Sequence, residues 1–381
     1  MRILMVEASG RGFLCHYAHA LCLGLHEAGH KVTLITGMRD ELIDWKVPFE
    51  KLACLKTGRH GWRCLKREIK RLQPDAVHLQ WIDNPLSAIA FVYWAKRQGI
   101  RVIYTPHNIL PHRARWLNMP AYRILYHLVD RIVARDRHIA WGLEEIFDAP
   151  RRKTVFLAGS PNLLAHPTLP PASSCAGLVE LPGKQTGEFR LLFFGHGCRR
   201  KGLDLLLQAL GNKNWPSHLH LVVAGEEVLR GIDANSISKL RNRLHTTVIN
   251  RYVPPVAVSA LLREADLMLM PYVKQCKSPL TDMAAAFCLP VLRSDRVKGA
   301  SFTEGLHGLT IPHDDIAELQ KGIEKLTVEP ERLQRMRMAM ESEETVLDAI
   351  RRLSEEHIRL YTELCGVSFR KSSGTFSLVK T

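Results

Sequence analysis

Arg190-Leu191-Leu192-Phe193-Phe194-Gly195-His196-Gly197 repeats, deep in the chain, the pattern with which the chain begins: Arg2-Ile3-Leu4-Met5-Val6 leading to Gly10-Arg11-Gly12. Each time a short apolar run without turn residues reaches a glycine-bearing loop and then an amphipathic helix pattern. Such a run is a buried parallel strand feeding a helix N-terminus, where free backbone N–H groups and the helix dipole favour an anion such as a phosphate. Two such starts predict two nucleotide-fold halves facing one another across a cleft.

The flanking sequence alternates in the same way. A helical pattern covers His16 to Ala28, Gly29-His30 turns, and Lys31-Val32-Thr33-Leu34-Ile35-Thr36 reads as a strand. Ala76–Leu79, Ile100–Thr105, Ile132–Ala134 and Val155–Leu157 read as further strands. Strands separated by helices and short glycine or proline turns imply right-handed βαβ units and a parallel sheet. Pro161, Pro167, Pro170, Pro171 and Pro182 then interrupt the pattern as an interdomain linker would. Beyond it come strands at 191–194, 220–224, 248–249, 267–270 and 290–292, a helix over 202–210, and a long amphipathic helix from Thr345 to Cys365. The expected fold class is α/β, with Rossmann-like domains at 1–165 and 189–343 and a linker at 166–188. A helix at 344–365 is expected to cross back to the first domain, followed by a disordered tail at 366–381.

The 381 residues suffice for two domains, and 46% hydrophobic with 24% charged residues reads as soluble and globular. The longest apolar stretch, near Pro85 to Ala95, is too short to span a bilayer. The chain enters a strand at once, so no secretory signal is expected, and nine cysteines without a Cys-x-x-Cys pair fit a reducing cytoplasm. A net charge of +15 favours phosphate-rich partners. Nucleic acid is not among the expected ones, because no recognition-helix, ribonucleoprotein or zinc-finger signature accompanies the charge.

The loops carry the chemistry. Gly10-Arg11-Gly12 is followed by Phe13-Leu14-Cys15 and the second strand ends at Thr36-Gly37. A dinucleotide fingerprint needs a third glycine and an acid at that strand end, so NAD binding is disfavoured. In the second loop Arg199-Arg200-Lys201 precede Gly202 at a helix start. Three cations there oppose the dipole unless an anion is also bound, and a diphosphate would satisfy amides and cations together.

Lys201-Gly202-Leu203-Asp204 with Ala209-Leu210 resembles the K-G-x-x-x-L-x-x-A segment of GT-B glycosyltransferases, particularly family 4. Gly29-His30-Lys31-Val32 resembles their G-H-x-V, and Thr105-Pro106-His107-Asn108-Ile109-Leu110-Pro111-His112 their T-x-H-N-x-x-P-H. Ala265-Asp266 through Pro271, and Ala286 through Val291, are similar to A-D-x-x-x-x-P and A-x-G-x-P-V. The resemblance implies transfer of a sugar from a nucleotide-sugar, with retention and without a metal or other cofactor. It implies that Lys201 binds the donor diphosphate, with Gly12, Gly195, His196, Ser278 and Asp282 in the donor site, Ser278 at the start of the donor-site helix where its N–H and hydroxyl meet a phosphate. His107 falls near the transferred hexose, so His107 and Lys201 are the catalytic candidates. Gly10, Arg11, Asn108 and His112 are the candidate contacts to a glycan or lipid-linked acceptor. Glutamates expected eight apart fall at Gln275 and Met283, with Asp282 one residue from the expected acid, and the glycine before Leu289 is Cys288. A degenerate member acting as a binding or scaffold subunit is therefore the alternative reading.

Trp62, Leu65, Ile69 and Leu72 recur at helical spacing among Arg63, Lys66, Arg67, Lys70 and Arg71. Residues 56–72 are a candidate contact with an anionic membrane surface, which would place the protein peripherally at the inner face of the cell membrane. Packing of the stripe into the first domain explains the same spacing.

Overall fold

The computed structural model describes all residues except 56–58, 81, 83, 109–114, 158, 160, 171–179, 299–301, 367, 373–374 and 380–381. The chain divides into two compact units, Met1–Leu163 with Val346–Thr381, and Leu164–Thr345.

The first unit is built on strands β1 (Arg2–Glu7), β2 (Lys31–Gly37), β3 (Glu50–Leu55), β4 (Ala76–Leu79), β5 (Arg101–Tyr104), β6 (Arg131–Ala134) and β7 (Thr154–Phe156). They form one parallel sheet in the order β3-β2-β1-β4-β5-β6-β7. Helices α1 (Gly12–Glu27), α2 (Arg59–Leu72), α3 (Pro85–Arg97), α4 (Arg115–Leu128) and α5 (Arg137–Glu145) connect them. The inner strands are buried along nearly their whole length, which is why they read as continuous apolar runs rather than alternations. Edge strand β3 is only partly buried apart from Leu55, and no strand was expected there.

The second unit repeats the plan with β8 (Phe189–Phe194), β9 (Leu219–Ala224), β10 (His245–Ile249), β11 (Leu267–Met270), β13 (Val291–Ser294) and β15 (Gly308–Ile311), ordered β10-β9-β8-β11-β13-β15. A two-residue ladder joins β12 (Cys276–Lys277) to β14 (Val297–Lys298). Its helices are α6 (Leu203–Gly211), α7 (Ala234–Arg241), α8 (Pro255–Glu264), α9 (Leu280–Ala286), α10 (Ile316–Val328) and α11 (Pro330–Glu341). The C-terminal part of the stretch expected as a linker is tied to this unit, where Pro182 O accepts from Arg190 Nη1 at 3.0 Å. Lys184 Nζ lies 2.6 Å from Asp266, and just before the stretch Leu164 O accepts from Ser259 Oγ at 2.8 Å.

The last helix, α12 (Val346–Cys365), belongs to the first unit. Gly24 of α1 faces it so closely that a Cβ there would lie 2.7 Å from the Ser354 side chain. The tail expected to be disordered instead carries an antiparallel pair, β16 (Ser368–Ser372) and β17 (Thr375–Val379).

Candidate active site

In both parallel sheets the loops at the strand C-termini carry the residues singled out from sequence, the edge at which open α/β sheets bind ligands. In the second unit, β8 is followed by Gly195, whose φ of 130° and missing side chain leave room for the ammonium of Lys201. A Cβ at residue 195 would collide with Nζ. Arg199–Lys201 form a 3-10 turn that Gly202 closes in the left-handed conformation, against the Pro271 carbonyl, before α6 begins. Lys201 is largely withdrawn from water, and among the described residues no carboxylate pairs with it. Burial, with Arg200 adding to it, lowers its pKa. A part-buried cation without a counter-charge is costly, and the cost is removed when an anion binds.

The neighbouring candidates divide. His196 is exposed, with Nδ1 3.9 Å from Glu226. Ser278 is buried and its groups are taken: its N–H donates to Lys298 O at 3.1 Å, and its Oγ lies 3.3 Å from the Tyr272 hydroxyl. The amide expected to meet a phosphate there is thus bonded to the β14 backbone instead. Asp282 is exposed on the first turn of α9. Gln275 is exposed and Met283 half-buried, so neither supplies the expected acid. Cys288 has φ 51°, the left-handed region that explains why a glycine is expected at that position.

In the first unit the Gly10–Gly12 loop is already satisfied from within, contrary to the expectation of free amides. Glu7, which burial raises in pKa, accepts from Ser9 N at 2.6 Å, Gly10 N at 2.9 Å and Thr36 Oγ1 at 3.0 Å. Gly12 N donates to Glu41 at 2.6 Å, and His16 Nε2 lies 2.8 Å from the same oxygen. A carboxylate of the protein occupies the start of α1. Arg11 and Asn108 are exposed, and His112 lies outside the described residues.

His107 follows β5 and is held on every side. Its Nδ1 accepts from Arg135 Nη1 at 3.1 Å and its Nε2–H donates to Gln80 Oε1 at 2.9 Å. The ring packs edge-on against Phe13 and Tyr17 at 5.8 and 5.5 Å. Burial, then Arg135, pushes its pKa down to about 3. Glu7, Glu41, Gln80 and Arg135 escaped the sequence reading. Only Glu7, an acid inside an apolar strand, leaves a signal there.

A thiol, an imidazole and a carboxylate (Cys15, His19 and Asp40) bring ligand atoms within 4.8 Å of one another. Lys51 Nζ, 2.9 Å from Asp40, already supplies the compensating positive charge, so this buried cluster is poorly suited to a cation. A concavity lined by Arg2, Gln73, Gln98 and Arg101 lies at the opposite, N-terminal edge of the first sheet, away from these groups.

The sequence profile "Glycosyltransferase Family 4" matches residues 16–157, and "Glycosyl transferases group 1" matches residues 188–328. The chain belongs to the family-4-like GT-B glycosyltransferases. The transferase matches no curated protein. It superposes on a glycosyltransferase from Rickettsia africae with a TM-score of 0.63 at 16% identity, over 95% of this chain and 98% of that one. Anabaena HepE in complex with UDP gives 0.59 at 13% identity, over 95% and 100%. A UDP-GlcNAc 2-epimerase from Neisseria meningitidis gives 0.59 at 15%, over 95% and 100%. At these identities the superpositions show the fold alone; the family profiles assign glycosyl transfer. Among the described residues no helix is long and apolar enough to cross a membrane.

Proposed function

We propose that this glycosyltransferase moves a sugar from a nucleotide-sugar to a glycan or lipid-linked acceptor, with retention and without a metal, on the cytoplasmic side of the cell. The observation that carries the reading is the unpaired ammonium of Lys201 at the end of β8, with Arg199 and Arg200 beside it. These cations neutralise charge developing on the leaving diphosphate, which is the electrostatic work that lowers the barrier. Gly195 and His196 line the same loop, and Asp282 stands on the neighbouring helix as a donor contact. Ser278 contributes by fixing Tyr272 rather than through a free amide. The acceptor lies against the Gly10–Gly12 loop and Asn108 in the first unit, with Gly12 and His107 close to the sugar. That HepE, which shares this fold, is solved in complex with UDP supports a nucleotide-sugar as the donor.

A second reading, a binding or scaffold subunit, draws on Gln275 and Met283 standing where acids are expected. Incubation with UDP-, GDP- and ADP-sugars in the presence of a lipid-linked acceptor fraction separates the two. Release of one nucleoside diphosphate supports transfer; tight binding of one donor without release supports the scaffold.

A further inference from the structure

Arg135 is the residue at the first unit's strand ends whose placement calls for a function. It follows β6 and is largely buried, yet among the described residues no carboxylate pairs with it. Its guanidinium lies over the rings of Phe13 and Tyr17 at 4.5 and 4.0 Å, donates to Gly159 O at 2.9 Å, and leaves Nε–H without a partner. The remaining bond goes to Nδ1 of His107. A guanidinium cannot accept a proton or a hydrogen bond, so Nδ1 must be the acceptor and the ring proton must sit on Nε2.

We infer that Arg135 is a positioning residue that makes His107 a neutral, polarised hydrogen-bond donor through Nε2–H. This rests on the reading of the first unit as the transfer site. The positive charge against Nδ1 withdraws electron density from the ring and strengthens the donor on its far side. A neutral imidazole polarised in this way stabilises developing negative charge on an oxygen without moving a proton. Gln80 Oε1 takes that hydrogen bond here, and a sugar or phosphate oxygen replaces it on binding.

Gln80 is fully buried, and the bond to His107 is the strongest its side chain makes. Its amide nitrogen rests 3.2 Å from Met5 Sδ and 3.4 Å from His78 Nε2, both weak contacts. The titratable and charged groups around the ring are Arg135 and Asp136 after β6, Tyr17 on α1, His78 on β4, and His357 with Glu356 on α12. His78 and His357 are themselves kept neutral by burial, so Arg135 is the dominant charge facing His107.

The test uses the full chain with 15N-labelled histidine, His107 being assigned by loss of its signals in His107→Gln. Long-range proton–nitrogen spectra of the unaltered protein are expected to show Nε2 protonated, Nδ1 bare and no titration between pH 5 and 8. In Arg135→Gln the donor that fixes Nδ1 as an acceptor is lost while the ring stays buried, so part of the population should carry its proton on Nδ1, and kcat should fall about ten- to 100-fold with little change in donor KM. Arg135→Lys should restore part of both. A proton on Nδ1 in the unaltered protein, or a tautomer that Arg135→Gln leaves unchanged, overturns the inference. An altered ring state with unchanged kcat would also overturn the role in transfer. It would locate the failure in the site reading, because the spectra need no substrate.

Discussion

Lys201 and Gly195 form a matched pair: the glycine is required because the ammonium occupies the place a side chain would take. Gly195→Ala, which alters no charge, is therefore expected to displace Nζ and weaken nucleoside diphosphate binding. A charged hydrogen bond is worth about 1.5–3 kcal/mol, roughly ten- to 150-fold in Kd. Unchanged binding by calorimetry in a folded Gly195→Ala protein would contradict that pairing. The lysine was legible in sequence because three cations before a helix start are locally anomalous. Its lack of a counter-ion was not, since that depends on which acids the fold keeps away. Arg135 shows the same limit more sharply. In sequence it is one arginine among many, and its meaning lies entirely in the company of His107, Tyr17 and Gly159. Ser278 went the other way: its position at a helix start read as a free amide, and the pairing of β12 with β14 takes that amide up.

Helix α12 reaches the same network from behind the sheet. Tyr361 OH lies 2.6 Å from Nδ1 of His78, whose Nε2 lies 2.7 Å from Thr105 Oγ1, all three residues fully buried. Tyr361→Phe removes one partner and leaves a buried ring nitrogen unpaired, at a cost of about 1–3 kcal/mol. Urea unfolding should show that loss, and an unaltered midpoint would contradict it. At the opposite face α2 resolves the two explanations of its stripe. Leu65 and Ile69 are buried in the first unit's core, so the apolar side is not available to lipid. Any membrane contact rests on the cations, of which Arg67 and Arg71 are bridged to Glu68 and Lys66 lies over Trp94. Neutralising Lys66, Arg67, Lys70 and Arg71 together should leave the fold intact and abolish flotation with anionic vesicles; unchanged flotation would reject the contact. Elements with continuous apolar runs were readable from periodicity. Edge strand β3 was not, because partial burial on both faces gives neither a run nor a clean alternation.

Across the whole molecule, the repetition of one strand–loop–helix start made the two-sheet architecture readable, because buried parallel strands and their glycine turns are local in sequence. What the architecture buries has a consequence for stability. Burial keeps five histidines of the first unit neutral: His78 is pushed well below the usual value, His19, His30 and His357 to about 4, and His107 to about 3. In the unfolded chain each titrates near 6.5. Below that pH the unfolded state takes up protons that the folded state refuses, so stability present above pH 6.5 is lost as pH falls toward 4. The slope is about 1.4 kcal/mol per pH unit for each histidine. Urea midpoints at pH 7.5 and 5.5 should differ clearly, and equal midpoints would show that these histidines are solvated. The central claim, that the second unit grips a diphosphate through one unpaired ammonium, is tested most directly by titrating UDP, GDP and ADP into the protein and into Lys201→Ala by calorimetry. One of the three should bind the unaltered protein and lose about ten- to 150-fold in Kd in the variant. Equal affinity in a folded Lys201→Ala protein would contradict the account.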